Sequence, residues 1–242
     1  MERQKLIIAT PLYNSQGWGN YIRSLVKAVS LMERLKISKP AEFDYDVWHT
    51  EGDSYVDNAR NEIAKQFLKG DGTHLMFWDS DVRIDPTGFA RIIKAPVELV
   101  GAAFPVKNSW NRWAVQITKG PDGCNYRDAS TGLYKADRIA TGVMKISRTV
   151  FDKIMKDDPT NWHFDWASQS MTYGFFNYMR MGKYILREDY GFCERCKKVG
   201  VQIWCETRVE SGHMGIHEHC GELSNVFKVE DLVDEKQLYI GD

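Results

Sequence analysis

The chain has 242 residues, of which 43% are hydrophobic and 27% are charged, and its formal net charge is -1. These values fit one globular α/β domain with a sizeable core. They give no global basic excess of the kind that announces nucleic-acid binding. No apolar run reaches the roughly 18 residues that a membrane span needs. The first residues do not resemble a signal peptide, so we expect a cytoplasmic protein whose five cysteines are thiols.

Apolar and amphipathic segments alternate along the first half of the chain. Strands are predicted over residues 6–9, 43–47, 73–78 and 97–104, and helices over 22–32, over 54–68 with Ser54 in a capping box, and from Pro86 onward. This alternation predicts an α/β fold with a mostly parallel sheet flanked by helices. Ligands of such sheets bind beyond the carboxyl ends of the strands.

The second half is less regular and predicts a smaller, irregular subregion. Its expected elements are a loop or hairpin over residues 119–137, one strand over 138–146, a helix capped by Ser147, a helix over 188–198 ended by Gly200, and a last strand over 201–205. Residues 157–183 are rich in aromatic and turn residues, and we expect a loop region there and not a core element. Two hypotheses explain these aromatic residues: a lid ordered by a ligand, or a small hydrophobic cluster under a long loop.

An acidic pair follows the most apolar of the predicted strands. Asp79, Ser80 and Asp81 come directly after four large apolar residues, 75–78. Carboxylates two residues apart point to the same side if strand geometry continues, and two such charges are costly together unless a cation joins them. A divalent ion that also binds a diphosphate suits this place. The alternative is a solvated acidic turn.

A histidine near the end of the chain completes the expected metal site. His213 lies in the segment Ser211-Gly212-His213-Met214-Gly215. Imidazole together with carboxylates favours Mn²⁺ over Mg²⁺, so His213 is predicted as a metal ligand beside Asp79 and Asp81. An ordinary loop histidine is the alternative.

A rival metal site involves cysteines. Cys193 and Cys196 form a C-x-x-C pair, with Cys205 and Cys220 downstream, which permits a structural zinc site. The pair falls on a predicted helix in phase with its apolar positions, so small buried side chains are the simpler explanation.

Six segments, taken together, carry a resemblance to a known family. They are IATP from Ile8, DNARN from Asp57, DSD from Asp79, ATGVM from Ala140, EDYGFC from Glu188 and GHMG from Gly212. In this order they resemble small single-domain GT-A glycosyltransferases, family 2-like enzymes such as those encoded by tailed bacteriophages. The resemblance implies a GT-A-like, Rossmann-like domain over residues 1–220, with a nucleotide-sugar half (1–105), an acceptor and catalytic half (106–220) and a peripheral tail (221–242).

The resemblance also implies roles for single residues. A nucleotide-diphosphate sugar, with a UDP-sugar preferred, would be bound by Thr10, Pro11, Tyr13, Arg60, Asp79 and Ser80. The metal would be held by Asp79, Asp81 and His213. Asp189 would be the catalytic carboxylate, with Glu188 beside it. A phage-encoded enzyme of this kind would work in the host cytoplasm.

Asp189 lies at the start of a predicted helix, a position that by itself suits acid–base chemistry. A carboxylate at the start of a helix can accept the proton that an acceptor hydroxyl loses. We expect the helix N-terminus to favour the ionised form of Asp189, which keeps it available as a base and makes it a weaker one. A base in this role favours inversion at the anomeric carbon. Ordinary first-turn charging of the helix by Glu188 and Asp189 is the alternative.

The acceptor is expected at a second loop beyond the sheet. Residues that combine cations, tryptophans and a close backbone approach are predicted to contact it: Lys107, Trp110, Arg112, Trp113 and Gly142. Because phage enzymes of this type act on modified bases, a hydroxymethylated pyrimidine in DNA is one predicted acceptor. A glycan, lipid or protein hydroxyl is the other.

Two other function classes compete with a glycosyltransferase. A nucleotidyltransferase of related architecture would usually carry a Lys or Arg in the loop after the first strand, and residues 10–20 contain neither. A catalytically inactive binding module is disfavoured by the presence of Asp79, Asp81, Asp189 and His213.

Overall fold

The computed structural model describes residues 3–13, 15–107, 112–120, 123–215 and 217–227, together with the backbone of residues 232–234. The first half folds in the order β1 (Gln4–Leu12), α1 (Gly19–Ser38), β2 (Phe43–Glu51), α2 (Val56–Lys69), β3 (His74–Trp78), β4 (Val82–Ile84), α3 (Pro86–Lys94) and β5 (Leu99–Ala102). The predicted strand and helix order of this half is confirmed, with the short β4 as an addition.

The second half contains shorter elements. They are β6 (Val115–Ile117), β7 (Asn125–Arg127), β8 (Tyr134–Ile139), β9 (Val143–Ser147), α4 (Arg148–Asp157), β10 (Trp162–Asp165), β11 (Ser170–Tyr173), β12 (Met179–Met181), β13 (Tyr184–Leu186), α5 (Glu188–Lys198), β14 (Ile203–Glu206), β15 (Ser211–Met214), β16 (Glu218–Gly221), a 3-10 turn (Leu223–Val226) and β17 (Leu232–Asp234). The helix after Ser147 and the helix ended by Gly200, whose φ is +75°, are confirmed.

One large sheet organises the molecule, in the order β17-β7-β8-β14-β5-β9-β3-β1-β2, with β6 paired to β8. Strands β2, β1, β3, β5 and β14 run parallel to one another, and β9 is inserted antiparallel between β3 and β5. The predicted fold class, an α/β domain with a mostly parallel central sheet flanked by helices, is confirmed.

Hydrophobic cores lie on both faces of this sheet. Successive residues of β1 alternate between them: Leu6 and Ile8 pack with α1 and α3, while Ile7 and Ala9 pack with α2 and α4. All four residues are at most 1% exposed. A strand covered on both faces reads as a continuous apolar run, which explains why the strands were visible in the sequence.

Two local predictions were wrong. Residues 138–146 do not form one strand, because the chain leaves β8 at Ile139 and enters a different place in the sheet as β9 at Val143. The helix α2 begins after Tyr55 as its N-cap, without a side-chain cap, so Ser54 does not form the expected capping box. A single apolar run cannot show where a chain changes its sheet neighbours.

The aromatic segment divides into two hairpins and a core insertion. β10 pairs with β11 and β12 pairs with β13. Tyr173 at the end of β11, and Phe175 and Phe176 in the connection to β12, are at most 2% exposed and join the core beside α2 and α5. The expectation that residues 157–183 contain no core element was therefore wrong, and these aromatic residues belong to the main core and not to a separate small cluster.

The C-terminal segment packs at one edge of the large sheet. Leu223 is buried, Phe227 packs on Tyr134, and β17 pairs in parallel with β7. Within the described part of the chain, no helix combines the length and apolarity that crossing a bilayer requires.

Candidate functional site

A cleft of about 200 Å³ opens beyond the carboxyl ends of β1, β2 and β3. Five of the predicted donor and metal residues line it: Pro11, Tyr13, Asp79, Ser80 and Asp81. A wider cleft of about 670 Å³ continues from it toward α2 and the β10–β11 turn, and the two share Thr50, Asp53, Ser54 and Ala59. The site therefore lies where a parallel sheet places ligands.

Sequence reasoning missed the contribution of the segment after β2. Thr50, Asp53 and Ser54 line both clefts. The same rule that placed Asp79 at the sheet edge applies to β2, which pairs in register with β1 as far as Glu51. The position of these residues just after β2 could therefore have predicted their place in the site, but Ser54 was interpreted as a helix cap.

Thr10 does not face the cleft. It is 1% exposed, and its hydroxyl is hydrogen-bonded to the hydroxyl of Tyr21 at 2.7 Å. Burial raises the pKa of Tyr21, against a smaller lowering by this hydrogen bond. Thr10 thus supports the wall of the site from the core side, while its neighbour Pro11 lines the opening.

Arg60 joins two carboxylates from distant parts of the chain. Its guanidinium donates to both oxygens of Asp79 at 3.0 Å and to Oε1 of Glu188 at 2.7 Å. The residue is 3% exposed. Burial disfavours its charge, but Asp79 and Glu188 outweigh this effect and raise the pKa of Arg60. Its Nε has no hydrogen-bond partner among the described residues. Arg60 therefore fixes the start of α5 against the end of β3.

Asp79 and Asp81 do not form a matched pair. Strand geometry ends at Trp78, and a turn closed by the hydrogen bond from Val82 N to Asp79 O, 3.1 Å long, follows. The two carboxylates both line the cleft, yet Asp79 is bound by Arg60 while Asp81 faces Lys107 and His213. The expectation of one shared cation between them was based on continued strand alternation, which the turn interrupts.

His213 and Asp81 meet at the edge of the cleft. Nε2 of His213 lies 3.5 Å from Oδ2 of Asp81, and Nδ1 lies 2.9 Å from the carbonyl oxygen of Pro105. The backbone reinforces the contact, because Met214 N donates to Asp81 O at 2.8 Å. The carbonyl oxygen of Pro105 can only accept, so Nδ1 donates to it and Nε2 is the nitrogen that faces the carboxylate, the position from which a histidine binds a metal once Nε2 carries no proton.

Lys107 already supplies a positive charge at this position. Its Nζ lies 2.5 Å from the same Oδ2 of Asp81. Burial would raise the pKa of Asp81, but hydrogen bonds from His213 and Lys107 hold it below its ordinary value. Within the described residues, no group of three or more His, Cys, Asp or Glu side chains lies close enough to hold a metal. Asp81 and His213 fit a divalent ion as two protein ligands, with Lys107 as the competing cation.

The carboxyl group of Asp189 has a strongly altered pKa. Burial, and then the neighbouring charge of Glu188, raise the pKa of Asp189 to about 6, although the backbone N–H of Tyr190 and the charge of Arg60 oppose the shift. The expectation that the helix N-terminus leaves Asp189 a weaker base was wrong, because its pKa is raised. Desolvation and the charge of Glu188 outweigh the opposing contacts, and the result is a stronger base near neutral pH.

The predicted acceptor residues that the structure describes lie on neighbouring segments but differ in exposure. Arg112 is exposed, and Trp113 is partly buried against the core and bridges to Pro105. Trp110 lies outside the described residues. Gly142 does not face open space, because a Cβ there would lie 2.5 Å from the ring of Phe104. Tight packing, the alternative to ligand approach, accounts for this glycine.

The cysteine pair lies in the core. Cys193 and Cys196 are fully buried, as is Cys205, while Cys220 is exposed. Burial raises the pKa of Cys193 to about 12, and Cys193 is hydrogen-bonded to the backbone of Ile139. These thiols therefore act as small buried side chains, as the simpler explanation predicted.

No protein-family model and no curated protein matches this sequence. Among solved structures, A197 from STIV is similar to this chain with a TM-score of 0.50 at 12% identity, over 88% of this chain and 86% of that one. The likeness shows a shared fold.

Two further structures are similar at lower scores. GalNAc-T7, solved with UDP, GalNAc and Mn²⁺, has a TM-score of 0.46 at 13% identity, over 98% of this chain and 46% of its own. S. aureus TarS 1-349 in complex with UDP has a TM-score of 0.43 at 15% identity, over 84% and 58%. The chain thus spans about half the length of these two proteins.

Proposed function

We propose that this chain is a metal-dependent glycosyltransferase of the GT-A type, which transfers a sugar from a nucleotide-diphosphate sugar to an acceptor hydroxyl. One observation carries the proposal: His213 and Asp81, remote in sequence, meet at 3.5 Å beside a cleft at the carboxyl edge of the sheet. A carboxylate and an oriented imidazole at this edge suit an ion that bridges to a diphosphate.

The two ligands favour Mn²⁺ over Mg²⁺. Mg²⁺ prefers oxygen ligands, whereas imidazole also suits softer divalent ions. Asp81 and His213 would hold the ion, and the donor phosphates would complete its coordination. A divalent ion in this place stabilises the negative charge that develops on the leaving diphosphate. Asp79 is assigned to the donor side, where its pairing with Arg60 also aligns α5.

Asp189 is assigned the role of general base. A pKa of about 6 leaves its carboxylate largely ionised at neutral pH and still basic enough to accept a hydroxyl proton. Glu188 is bound to Arg60, so it acts by holding α5 and by raising the basicity of its neighbour. This division of roles favours an inverting reaction.

The proposed domain organisation follows the site. Residues 1–105 provide the donor cleft, and residues 106–220 provide His213, Asp189 and the acceptor side. Residues 221–242 are assigned to a C-terminal tail, whose described part packs at the edge of the sheet. The boundary near residue 105 falls where β5 has ended and the chain turns toward Lys107.

A thermal-shift panel tests the donor and metal parts. UDP, GDP, ADP and CDP are each added with and without Mn²⁺, because a ligand that binds only the folded state raises the melting temperature. One nucleoside diphosphate should stabilise the wild type in the presence of Mn²⁺, and D81N and H213A should lose this response. The exposed-site variant K94M serves as the matched control. Equal responses of D81N, H213A and the wild type would remove the basis of the proposal.

The acceptor proposal has two parts that one experiment separates. A hydroxymethylated pyrimidine in DNA, the substrate expected of a phage-encoded enzyme, is supported by the cations Lys107 and Arg112 near Trp113. Mass spectrometry of nucleosides from hydroxymethylated DNA treated with UDP-hexoses and UDP-pentoses would show a hexosyl or pentosyl adduct. Donor consumption with unmodified nucleosides would show transfer of the sugar to water, and donor consumption that increases with an added glycan, lipid or protein would point to that acceptor instead.

A further inference from the structure

The β12–β13 hairpin exposes apolar residues together with cations. Met181, Tyr184 and Ile185 are 42%, 60% and 69% exposed. Its two-residue loop begins at Gly182, whose φ of +59° makes the tight reversal possible. Met181 pairs with Tyr184 across the strands, and Ile185 pairs with Arg180. Because side chains alternate between faces along a strand, both faces of the hairpin tip carry an exposed apolar residue.

The charge of this segment is one-sided. Between Asp165 and Glu188 the sequence contains no acidic residue and three cations, Arg180, Lys183 and Arg187, in a chain whose net charge is -1. All three cations are exposed, and none of them forms an ion pair with any residue that the structure describes. The ammonium of Lys183 lies 5.4 Å from the centre of the Tyr184 ring, so charge and aromatic surface lie side by side.

The inner end of the hairpin is held firmly to the fold. Met179 and Leu186 are partly buried, and Met179 packs against Gly191 of α5. The sulfur of Met181 lies 3.8 Å from a guanidinium nitrogen of Arg138. The base of the hairpin is thus fixed to the fold, while its tip is exposed to solvent. Two strands that pack on no other element are only marginally stabilised in water.

We infer that the β12–β13 hairpin docks the protein on an anionic lipid surface. In a surface-bound anchor, cations reach toward the phosphate headgroups, and apolar side chains such as Tyr, Met and Ile enter the boundary between headgroups and acyl chains. The hairpin carries both kinds of side chain. Nucleic acid shares the attraction to cations, but it stacks on aromatic rings and gains little from an exposed Ile185 or Met181. The aliphatic side chains therefore decide in favour of lipid.

The docking surface lies next to the proposed catalytic residue. Helix α5 begins at Glu188, two residues after β13 ends, and Asp189 follows. A protein held at this hairpin would present its acceptor side close to the membrane. The docking inference itself does not require the proposed glycosyltransferase activity, because it uses neither the metal site nor the donor cleft.

Vesicle co-sedimentation of the full chain, without nucleotide or metal, tests the inference. Vesicles of phosphatidylcholine with 30 mol% phosphatidylserine should bind the protein, and pure phosphatidylcholine vesicles should not. Each cation near an anionic surface contributes about fivefold to partitioning, so R180Q/K183Q should bind about 25-fold more weakly. Y184S/I185S should bind at least about tenfold more weakly. The matched control V26S/K27Q, which changes an exposed apolar residue and a cation on α1, should bind like the wild type.

Several outcomes overturn the docking inference. These are an absence of binding to anionic vesicles at low salt, equal binding by Y184S/I185S and the wild type, or loss of binding in the control variant. Single-stranded DNA of matched charge is included, and hairpin-dependent binding to DNA without binding to vesicles would assign the surface to nucleic acid instead. Far-UV circular dichroism of each variant separates lost docking from lost folding. Docking that persists when the nucleotide and Mn²⁺ panel fails would leave the inference standing without the glycosyltransferase assignment.

Discussion

Lys107 and Asp81 form an ion pair at the candidate metal site. The ammonium of Lys107 lies 2.5 Å from Oδ2 of Asp81, the oxygen that Nε2 of His213 faces at 3.5 Å. The stem of Lys107 passes close to Gly215, just beyond the strand that carries His213. A metal ion bound by Asp81 and His213 would have to displace this ammonium or move it onto a donor phosphate.

Replacing Lys107 by Met should tighten Mn²⁺ binding, because the competing charge is removed. A partly exposed ion pair contributes up to about 1 kcal/mol, so an increase of about two- to fivefold in affinity is expected. Electron paramagnetic resonance of free Mn²⁺ measures it directly. The exposed-site variant K94M should bind like the wild type, and a K107M protein with weaker Mn²⁺ binding would show that Lys107 supports the site and does not compete for it.

Replacing Arg60 by Met should destabilise the protein by about 3–5 kcal/mol. Loss of the buried guanidinium leaves the carboxylates of Asp79 and Glu188 without their partner. R60K should be intermediate, because an ammonium cannot donate to both carboxylates with the planar geometry of a guanidinium. Urea unfolding measures these differences, with the exposed-site variant R34M as control. An R60M protein within about 1 kcal/mol of the wild type would contradict the bridging role.

Asp189 should impose a pH dependence near pH 6. Its folded-state pKa of about 6 lies above the ordinary value of 3.8, so the folded protein binds the proton more tightly than the unfolded chain. The wild type should therefore lose stability relative to D189N as the pH rises from about 4 to about 6. Transfer or donor hydrolysis by the wild type should rise over pH 5–7, as the carboxylate ionises.

Two measurements check the assignment of Asp189. Thermal unfolding of the wild type and D189N across pH 4–8 gives the stability difference, and D152N provides an exposed control on α4. The activity profile gives the pKa of the base. A constant stability difference between D189N and wild type over this range would show that Asp189 has an ordinary pKa.

Lys145 should make the protein more stable as the pH rises in the alkaline range, which is opposite to the effect of Asp189 between pH 4 and 6. This residue of β9 is 1% exposed, and its Nζ donates to the carbonyl oxygens of Ala95 at 2.7 Å and Ile93 at 3.2 Å. Burial lowers the pKa of Lys145 from 10.5 to about 8. Between these values the unfolded chain binds more protons, so stability rises with pH. The wild type should gain up to about 3 kcal/mol relative to K145M from pH 8 to 10.5. A stability difference between the wild type and K145M that stays constant from pH 8 to 10.5 would rule this out.

Gly142 should tolerate no side chain. A Cβ at this position would lie 2.5 Å and 2.6 Å from ring carbons of Phe104, which is itself buried. We expect G142A to cost about 1–3 kcal/mol, the range for overpacking in a core. G19A is the matched control, because nothing lies within 4 Å of the corresponding Cβ on α1. Equal stability of G142A and the wild type would reopen a role for Gly142 in approach to a ligand.

Local patterns in the sequence determined the scaffold and the position of the site. The run of residues 75–78 is apolar because β3 is covered on both faces, and the acidic residues after it mark the carboxyl edge. The amphipathic period of α2 was visible for the same reason: burial on a helix repeats with the helical turn. On α1 the apolar period was a poorer guide, since Ile22 and Val26 are exposed. These features depend on neighbours in the chain, so sequence alone reveals them.

Only the tertiary structure decided which charged groups meet and how they titrate. The turn at Asp79 directs that carboxylate to Arg60 and places Asp81 beside His213 and Lys107. Burial, which no local pattern reports, raises the pKa of Asp189 at the start of α5, where the sequence predicts a weaker base. Desolvation and pairing arise from residues that are remote in sequence and close in space, and electrostatic free energy depends on that spatial environment.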